Sequence, residues 1–383
     1  MKPRIALIST INSYYKLGIW PKLSGSDRYS VDIFSSSQSE RNIKTFSMHH
    51  IVNYGMNVTE IRNIYFRKKY LLFQIGVLKY VIRGRYSAYI LPGEVTCVST
   101  ILTLFILKVR RIPSVVWTHG MYGRETKIKK KVKKVFYNFA DKIFVYGNWS
   151  RDLLIDSGIK DDKVSVVFNS LNHIDQLKHR RTSNNTSLAS SRFSFPQIIH
   201  PSLIYIGRIT KRKKIGMLIE ALHILQMRGN HYACYLIGDG EDIDNIKYQV
   251  AKYDLGQNVH HIGAIYDEEK ISCFLNTPSI CVSPGSIGLT ALHCLAYGVP
   301  LITHNNIARQ GPEVESITDG VTGLLFEEDN VIDLVKKIEQ LTNIMNTKYN
   351  VLRKNCYDTI DRVYNPENQE EIISQSLLSL VRK

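Results

Sequence analysis

The fold of this chain is decided by the stretch Ser283-Pro284-Gly285-Ser286-Ile287-Gly288-Leu289-Thr290-Ala291-Leu292-His293-Cys294-Leu295-Ala296-Tyr297-Gly298-Val299-Pro300. A loop of small residues follows a β-branched run and opens into an apolar helix, which ends at Gly298 before a new strand at 301–303. A strand–loop–helix junction directs unpaired N–H groups and the positive end of a helix dipole at whatever lies before it, most often a phosphate. Taken alone, the loop also fits an ordinary βα turn, because glycine-rich turns are common.

Other apolar segments place this junction within a sheet. Strands are predicted at 203–206, 235–237, 259–262 and 279–282, and they alternate with helical patterns. This alternation indicates a parallel sheet with helices on both faces. Small or charged residues follow the strands, namely Gly207-Arg208 with the basic turn 211–214, Gly238-Asp239-Gly240 and Gly263. Because ligands bind at the carboxyl ends of such strands, these residues are candidates for a binding site.

These residues resemble the retaining glycosyltransferases of family four, of the bacterial surface-polysaccharide type. The matching motifs are Tyr205-Ile206-Gly207-Arg208 with Lys213, Ile237-Gly238-Asp239-Gly240, the loop and helix 284–300, and Glu315-x3-Asp319-Gly320-x2-Gly323. The N-terminal half matches through Trp117-Thr118-His119-Gly120 and Asn169-Ser170-Leu171-Asn172. The resemblance implies an α/β fold of GT-B architecture, with two Rossmann-like domains facing across a cleft. It also implies a nucleotide-sugar donor, transfer with retention, and no metal ion or other cofactor.

The resemblance assigns the donor diphosphate to Arg208 and Lys213, which with His119 are the predicted catalytic residues. A departing diphosphate gains charge that fixed cations stabilise, and the planar arginine fork suits phosphate oxygens. Lys214 is an alternative to Lys213, and a solvated basic turn is the alternative for 211–214 as a whole. The predicted donor-binding residues are Gly207, Gly238, Asp239, Gly263, Gly285, Ser286, Ile287, Gly288, Leu289, His293 and Glu315.

The loop and helix depart from the family at two positions. The family usually carries two glutamates eight positions apart, and Gly285 and His293 stand there in this chain. We expect Gly285 to leave backbone N–H groups for the sugar or phosphate, unless it only meets a dihedral requirement. His293 can hydrogen-bond a ribose, or it can be a packed residue. The departure leaves open a variant subgroup and a non-catalytic homologue, and Glu313 is expected to be exposed.

The acceptor side is predicted from the N-terminal half. By resemblance, His119 follows a buried strand, lies in the cleft and faces the transferred sugar, with a structural histidine as the alternative. Glu94 and Arg124 are further candidates to line the cleft. The family's usual glycine pair after the first strand is missing, and 10–15 stands in its place.

Charge and composition limit the partners. The 383 residues include 50 Lys and Arg against 34 Asp and Glu, and 44% are hydrophobic, as in globular chains. The basic block 127–134 predicts an amphipathic helix on which Ile128, Val132, Val135 and Phe136 share one face. Such a helix suits an anionic membrane, with Val132, Val135 and Phe136 packed on the domain; a docked helix with a solvated back is the alternative. No nucleic-acid recognition motif is present, so no nucleic-acid partner is predicted.

The chain is predicted to hold two domains. An N-terminal acceptor-side domain covers 1–178, a polar linker 179–200, a nucleotide-sugar domain 201–350, and a helical tail 351–383 crosses back to the N-domain. The apolar run 100–107 is too short to span a bilayer, and the first residues resemble a strand rather than a signal peptide. We therefore expect a cytoplasmic protein, peripheral at the inner face of the membrane. The six scattered cysteines predict buried thiols rather than disulfides or metal sites.

The combined prediction is an enzyme that moves a sugar from a nucleotide-sugar to a lipid-linked or surface-polysaccharide precursor of O-antigen, capsule or lipopolysaccharide. The basic N-terminal half favours this function, because such acceptors carry diphosphate and lie in anionic bilayers. Two alternatives remain: a non-catalytic protein that binds sugar nucleotides, and a GT-B sugar-nucleotide epimerase, which needs no acceptor.

Overall fold

The computed structural model describes residues 2–38, 45–46, 54–66, 70–181 and 202–381. The chain forms two compact units, Met1–Asn172 with Asn365–Lys383, and His173–Tyr364. Each unit has its own parallel sheet with buried strands, as expected where helices cover both faces.

The first unit contains a seven-stranded sheet in the order β3-β2-β1-β6-β7-β8-β9 and a β4–β5 hairpin. The strands are β1 (Arg4–Ile8), β2 (Ser30–Ser35), β3 (Asn57–Glu60), β4 (Arg62–Phe66), β5 (Leu71–Ile75), β6 (Ala88–Pro92), β7 (Ser114–Thr118), β8 (Lys142–Val145) and β9 (Val164–Val166). The helices are α1 (Trp20–Ser24), α2 (Val77–Arg83), α3 (Val98–Val109), α4 (Lys127–Phe139) and α5 (Asn148–Asp156), with a 3-10 turn at Tyr14–Leu17.

The second unit contains a six-stranded sheet in the order β12-β11-β10-β13-β14-β15. Its strands are β10 (Ser202–Ile206), β11 (Ala233–Ile237), β12 (Val259–His261), β13 (Ser279–Ser283), β14 (Leu301–His304) and β15 (Gly323–Phe326). The helices are α6 (His173–Arg181), α7 (Ile215–Met227), α8 (Ile243–Lys252), α9 (Glu268–Leu275), α10 (Thr290–Ala296) and α11 (Val331–Arg362), with 3-10 turns at Lys211–Lys213 and Pro312–Ser316.

The C-terminal helix α12 (Pro366–Val381) belongs to the first unit. Ile373 and Leu377 are buried in the core that lies against β1 and β2. Gln369 donates to the carbonyl oxygen of Phe168 at 2.9 Å, and the hydroxyls of Tyr29 and Ser374 lie 2.9 Å apart. Helix α12 therefore completes the first unit, although the whole second unit precedes it in sequence.

The predicted α/β fold with Rossmann-like domains is confirmed, but the unit boundaries differ from the predicted ones. Helix α6 belongs to the second unit, because His173 and Arg180 both bind Asp361, at 2.9 Å. The predicted tail 351–383 is divided, since α11 continues to Arg362 within the second unit. Of the predicted linker, 179–181 ends α6, and 182–200 lies outside the described residues.

Candidate active site

The predicted donor residues gather at one edge of the second sheet. Strand β10 lies between β11 and β13, so the strand order changes direction next to β10. Such a topological switch point opens a crevice at the carboxyl ends of the strands. Gly207-Arg208 follows β10, Gly238-Asp239 follows β11, and the loop 284–289, here called the donor loop, follows β13. The topology thus places residues that are far apart in sequence around one crevice.

Glycines allow the close approach of these segments. Gly238 has a φ of +155°, and a Cβ there would lie 1.9 Å from the carbonyl oxygen of Gly207. Gly207 has a φ of +141°, which also favours glycine. At Gly285 a Cβ would lie 2.3 Å from the carbonyl oxygen of Arg212, so the donor loop packs directly on the turn 211–213. Gly285 is therefore required by packing and not by an unusual φ.

Two N–H groups of the donor loop already have acceptors. Gly285 donates to the carbonyl oxygen of Lys213 at 3.0 Å, so the expectation that its N–H is available to a ligand is wrong. Ile287 donates to Oε1 of Gln310 at 2.7 Å. Among the described residues, the N–H groups of Ser286, Gly288 and Leu289 have no such acceptor. These three N–H groups are therefore the ones of the loop that remain to bind an anion.

Gln310 fixes the donor loop from the other side and was not predicted. Its side chain is buried and its Nε2 donates to Oγ1 of Thr303 at 3.0 Å and to the carbonyl oxygen of His304 at 2.9 Å. In return, the N–H of Gly311 donates to the carbonyl oxygen of Ile287 at 3.0 Å. The segment 310–311 therefore ties the donor loop to β14.

The basic turn 211–213 presents one lysine to the donor loop. The Nζ of Lys213 donates to the carbonyl oxygen of Ser286, and Arg212 donates to the Ser286 hydroxyl at 3.3 Å. Burial, with the nearby charges of Arg212 and Arg208, lowers the pKa of Lys213 to about 8. Lys214 instead binds Glu328 at 3.1 Å and Asp329 at 2.5 Å. Of these two lysines, Lys213 is thus the one at the loop, while the Arg208 side chain is exposed nearby.

A carboxylate also reaches the donor loop. Glu313 is 4% exposed, so the expectation that it is exposed is wrong. One of its carboxylate oxygens would lie 3.9 Å from a Cβ at Gly288, and its charge opposes the downward shift of the Lys213 pKa. Glu315, on the same 3-10 turn, is half-buried. The cations at the loop therefore have a buried negative neighbour from a different segment.

His293 on helix α10 contacts the carboxylate of Glu268, whereas a ribose was its predicted partner. Its Nε2 lies 3.0 Å from Oε1 of Glu268 at the start of α9, and the Tyr297 hydroxyl donates to the same oxygen at 2.7 Å. Burial raises the pKa of Glu268, but the charge and hydrogen bond of His293 lower it more, so the carboxylate is ionised at neutral pH. This arrangement favours the packed alternative for His293.

Asp239 holds the loop that contains Gly263. Its carboxylate accepts from the N–H of Ala264 at 3.0 Å and lies 3.0 Å from Nε2 of His261. Gly263 has a φ of +82°, which allows the chain to turn there. Asp239 therefore organises the end of β12, in addition to its exposed position at the crevice.

The first unit has its own switch point, between β1 and β6, and a recess of about 350 Å³ opens there. A Cβ at Gly93 would lie 2.4 Å from Cβ of Thr118, so the missing side chain lets the end of β6 approach the end of β7. This approach brings Glu94 and His119 into the lining of the same recess. The recess lining also includes Ser9, Lys16, Trp117, Tyr122, Lys133 and Tyr146.

His119 lines this recess directly after β7. Its ring lies 4.8 Å from the ring of Tyr146, and its carbonyl oxygen accepts from the Ser150 hydroxyl at 2.8 Å. The residue is exposed, yet reduced solvation of the ring and the charges of Lys16 and Lys133 lower its pKa to about 4. The imidazole is therefore neutral at pH 7 and offers one donor and one acceptor nitrogen.

A carboxylate locks the segment that follows His119. Glu125 accepts from the N–H groups of Tyr122 at 2.9 Å and Gly123 at 3.0 Å, and from Lys133 at 2.8 Å. Lys133 also donates to the carbonyl oxygen of Gly120 at 2.7 Å. Burial raises the pKa of Glu125, but these hydrogen bonds lower it more. Lys133 is therefore a structural part of the recess and not a free lysine of the basic block.

Helix α4 exposes most of its apolar residues. Phe136 is buried as predicted, but Val132 and Val135 are each 53% exposed, so the expectation that these two pack on the domain is wrong. Ile128 is 78% exposed. The side of the helix that packs on the unit runs through 133, 136, 137 and 140. A second stripe, at 128, 132, 135 and 139, faces solvent. Neighbouring α3 adds exposed side chains. We call the combined set the α3–α4 apolar face: Ile101, Phe105, Val109, Ile128, Val132, Val135 and Phe139.

The sequence of this chain is similar to those of known glycosyltransferases. Residues 199–358 match the family model described as glycosyl transferases group 1. A protein of 41.2 kDa from the cps region of Klebsiella pneumoniae is 26% identical over 217 residues, 54% of this chain and 55% of that protein. The capsular polysaccharide biosynthesis glycosyltransferase CapM of Staphylococcus aureus is 24% identical over 210 residues, 53% of this chain and 52% of that protein. The chain thus spans about half the length of these curated relatives.

The solved structures extend the likeness to the whole fold. The crystal structure of Anabaena Alr3699/HepE in complex with UDP superposes with a TM-score of 0.73, covering 99% of this chain and 100% of that one at 14% identity. At this identity the likeness concerns the fold. The family match falls within the second unit and includes the donor loop and the basic turn 211–213. The chain therefore has the fold of the GT-B glycosyltransferases, and residues 199–358 of its second unit are similar to the glycosyl transferases group 1.

Proposed function

We propose that this protein transfers a sugar from a nucleotide-sugar donor, with retention of the anomeric configuration, to a lipid-linked or surface-polysaccharide precursor. The observation that carries the proposal is the arrangement of Arg208 and Lys213 beside the donor loop, at the switch point of the domain that matches the family model. The match favours sugar transfer over epimerisation, and the polysaccharide setting follows from the relatives named above.

The donor diphosphate would lie against Lys213, Arg208 and the N–H groups of Gly288 and Leu289. In the reaction the acceptor oxygen bonds to the anomeric carbon, the bond from that carbon to the diphosphate breaks, and the hydroxyl proton leaves with the diphosphate. Negative charge grows on the diphosphate as the bond breaks, and cations fixed beforehand stabilise this charge most. Because these cations are side chains, we propose that no metal ion is needed, and activity should persist with EDTA.

The ionisation of Lys213 gives the proposal a pH signature. Its pKa of about 8 means that the ammonium is largely present at pH 7 and is lost as the pH rises through 8. A bound diphosphate favours the charged form, so affinity and protonation support each other. We expect donor affinity to fall above pH 8 in the wild type and to fall less in Lys213→Arg, because arginine stays charged.

Binding to a panel of nucleotide-sugars tests the donor site. Arg208→Ala and Lys213→Met should each weaken donor binding by about 2 kcal/mol, or roughly thirtyfold, because each loses a charge-assisted bond to phosphate. Lys211→Met is the matched control, since Lys211 lies exposed on the same turn. Equal affinities in all three variants would contradict the assignment.

Product analysis separates the candidate functions. A transferase releases nucleoside diphosphate faster when acceptor is present, an epimerase changes the sugar without acceptor, and a non-catalytic protein binds without turnover. NMR of the glycoside formed reports the anomeric configuration. An inverted product would contradict retention while leaving sugar transfer in place.

We further propose that the protein is cytoplasmic and docks on the inner face of the membrane through the α3–α4 apolar face and the lysines around it. No helix of the described residues is both long and apolar enough to cross a membrane. Lys127 and Lys131 are exposed on the side of α4 next to the apolar stripe, and Lys130 is exposed elsewhere on the same helix. Each lysine near an anionic surface contributes about 1 kcal/mol, and the apolar side chains add a contribution that salt does not screen.

Vesicle co-sedimentation tests this docking. Charge reversal of Lys127, Lys130 and Lys131 should release the protein from anionic vesicles at physiological salt, and Val132→Ser with Val135→Ser should weaken the binding that remains at high salt. Lys133 is left intact, because its loss would disturb Glu125. Charge reversal of three lysines in the second unit, Lys247, Lys336 and Lys337, serves as the control. A wild type that ignores anionic vesicles at low salt would contradict the docking.

A further inference from the structure

We propose that a groove on the first unit, separate from the recess that contains His119, binds the hydrocarbon chain and the phosphate of a lipid-linked acceptor. The groove has a volume of about 460 Å³, a size typical of small-molecule sites. Its walls come from the loop of the β4–β5 hairpin, the segments that follow β6 and β7, and α4. The proposal rests on the proposed function for the identity of the ligand. The lining residues are Tyr70, Val95, Arg124, Glu125, Ile128, Lys129, Val132 and Lys133.

The apolar part of the lining is exposed. On α4, Ile128 and Val132 lie one helical turn apart, and both side chains are exposed. The Tyr70 ring, from the hairpin loop, is also exposed, and Val95 adds a half-buried side chain. Exposed apolar side chains that line a single groove, rather than lying scattered over the surface, indicate a ligand with apolar surface of its own.

Two cations of the lining have no carboxylate partner. The side chains of Arg124 and Lys129 are exposed, and among the described residues no carboxylate oxygen lies within 4.0 Å of either cation. The carboxylate of the lining, Glu125, is instead bound to Lys133 at 2.8 Å and to two backbone N–H groups. This pairing leaves a net positive charge in the groove, so a ligand with an anionic head group complements it better than a neutral one.

The groove borders two surfaces described above. Ile128 and Val132 also belong to the α3–α4 apolar face, which is proposed to meet the membrane. Val95 and Lys133 also line the recess at the end of β7. A lipid that leaves the bilayer along this path has its chain on the apolar wall, its phosphate at the two cations and its sugar toward the recess. A groove of this size accommodates a single chain, whereas a bilayer contacts a whole face, so we assign the groove to the substrate lipid.

Binding of alkyl phosphates to the full chain, without vesicles, tests the groove. Calorimetry compares inorganic phosphate with alkyl phosphates of increasing chain length, below their critical micelle concentrations, and with primary alcohols of the same chains. Affinity should rise about fourfold with each buried methylene group and level off once the groove is full. At every chain length the phosphate should bind more tightly than the alcohol. Affinity that ignores chain length, or that is equal for phosphate and alcohol, would overturn the site.

Two exposed residues allow variants that leave the core intact. Tyr70→Ser should weaken binding of the longest alkyl phosphate about tenfold, roughly half of what full burial of an aromatic side chain contributes. Phe66→Ser is its matched control, because Phe66 is exposed on the same hairpin but does not line the groove. Lys129→Met should weaken alkyl phosphates about fivefold and leave the alcohols unchanged, with Lys127→Met, exposed on the same helix, as control. Unchanged affinities in both groove variants would contradict the assignment.

Steady-state kinetics identify the ligand. In Tyr70→Ser, KM should rise for a lipid-linked acceptor in detergent and stay unchanged for the same acceptor without its chain, while kcat is retained. A variant that loses vesicle binding but keeps its KM for the lipid-linked acceptor would assign the groove to bilayer phospholipid and overturn the proposal. A wild type that binds alkyl phosphates through the groove but transfers no sugar would instead refute the proposed function. Sugar transfer that is indifferent to the acceptor's chain would refute the groove alone.

Discussion

Replacing His293 with alanine distinguishes a ligand from a packed residue at a position predicted to meet the donor. In the structure its Nε2 lies 3.0 Å from the Glu268 carboxylate, which also accepts from the Tyr297 hydroxyl at 2.7 Å. The variant removes the imidazole that contacts Glu268 and leaves the Tyr297 hydroxyl. We expect a loss of stability and nearly unchanged affinity for nucleoside diphosphate.

The expected loss of stability depends on how deeply the His293–Glu268 pair is buried. Removing one partner of a fully buried pair costs about 3–5 kcal/mol, whereas exposed pairs contribute about 0–1 kcal/mol. The side chains of His293 and Glu268 are 16% and 26% exposed, so the pair lies between these limits. With the Tyr297 bond retained, we expect a loss of about 2 kcal/mol, which lowers the Tm of a unit of this size by roughly 4–8 °C.

The pH dependence has a defined sign. The folded-state pKa of Glu268 lies below its ordinary value of 4.5, so the interaction stabilises the fold above that value. This stabilisation is lost as the pH falls through the lowered folded-state pKa, where the carboxylate takes up its proton. The stability difference between the wild type and His293→Ala should therefore shrink as the pH falls through the lowered pKa of Glu268.

The assay combines thermal unfolding with titration of a nucleoside diphosphate. Because the chain has two units, the transition of the second unit is identified by its shift with nucleotide. Glu268→Gln is the matched variant, since it keeps an acceptor for Tyr297 and should give a similar loss of Tm without a change in affinity. A tenfold loss of nucleotide affinity with an unchanged Tm in His293→Ala would refute the reasoning and make His293 a ligand.

Three further outcomes are expected. Gln310→Met should destabilise the second unit by about 2 kcal/mol, because it leaves buried backbone groups unpaired. It should also weaken donor binding, which is measured by calorimetry. Glu313→Gln should lower the Lys213 pKa further, so the fall in donor affinity at alkaline pH should begin at lower pH than in the wild type; an unmoved profile would contradict this coupling. Gly238→Ala should reduce Tm markedly, since its Cβ would meet the carbonyl oxygen of Gly207 at 1.9 Å; a wild-type Tm would contradict that close approach.

The fold and the edge that carries the donor site were predictable because local sequence patterns encode them. Alternating apolar strands and helices specify a parallel sheet, and the carboxyl ends of such strands meet at one edge. Gly207 and Gly238 mark the strand ends because only glycine permits that φ and that separation. The unit boundary was less predictable, since it depends on the contact of α6 with Asp361, which lies far along the chain.

The partners of the site residues were not predictable, because they come from distant segments. Gln310 reaches the donor loop across a turn, and Glu268 reaches His293 from another helix. Similarly, Lys133 belonged by sequence to a uniform basic block, and only the fold shows that it binds Glu125. Helical spacing predicted the apolar residues of α4 but not which of two stripes packs, since Tyr137 and Ala140 decide that choice.

The structure also bears on the glutamates missing at 285 and 293. A side chain at 285 would begin 2.3 Å from the carbonyl oxygen of Arg212, so the present turn excludes glutamate unless it moves. The same loop nevertheless has a carboxylate beside it, since Glu313 is buried near Gly288 and acts on the charge of Lys213. Burying an acid is costly, so a buried Glu313 next to the donor loop favours a role for this carboxylate at the loop. We therefore infer a variant subgroup in which the acidic group at the donor loop comes from another segment, rather than a decayed homologue.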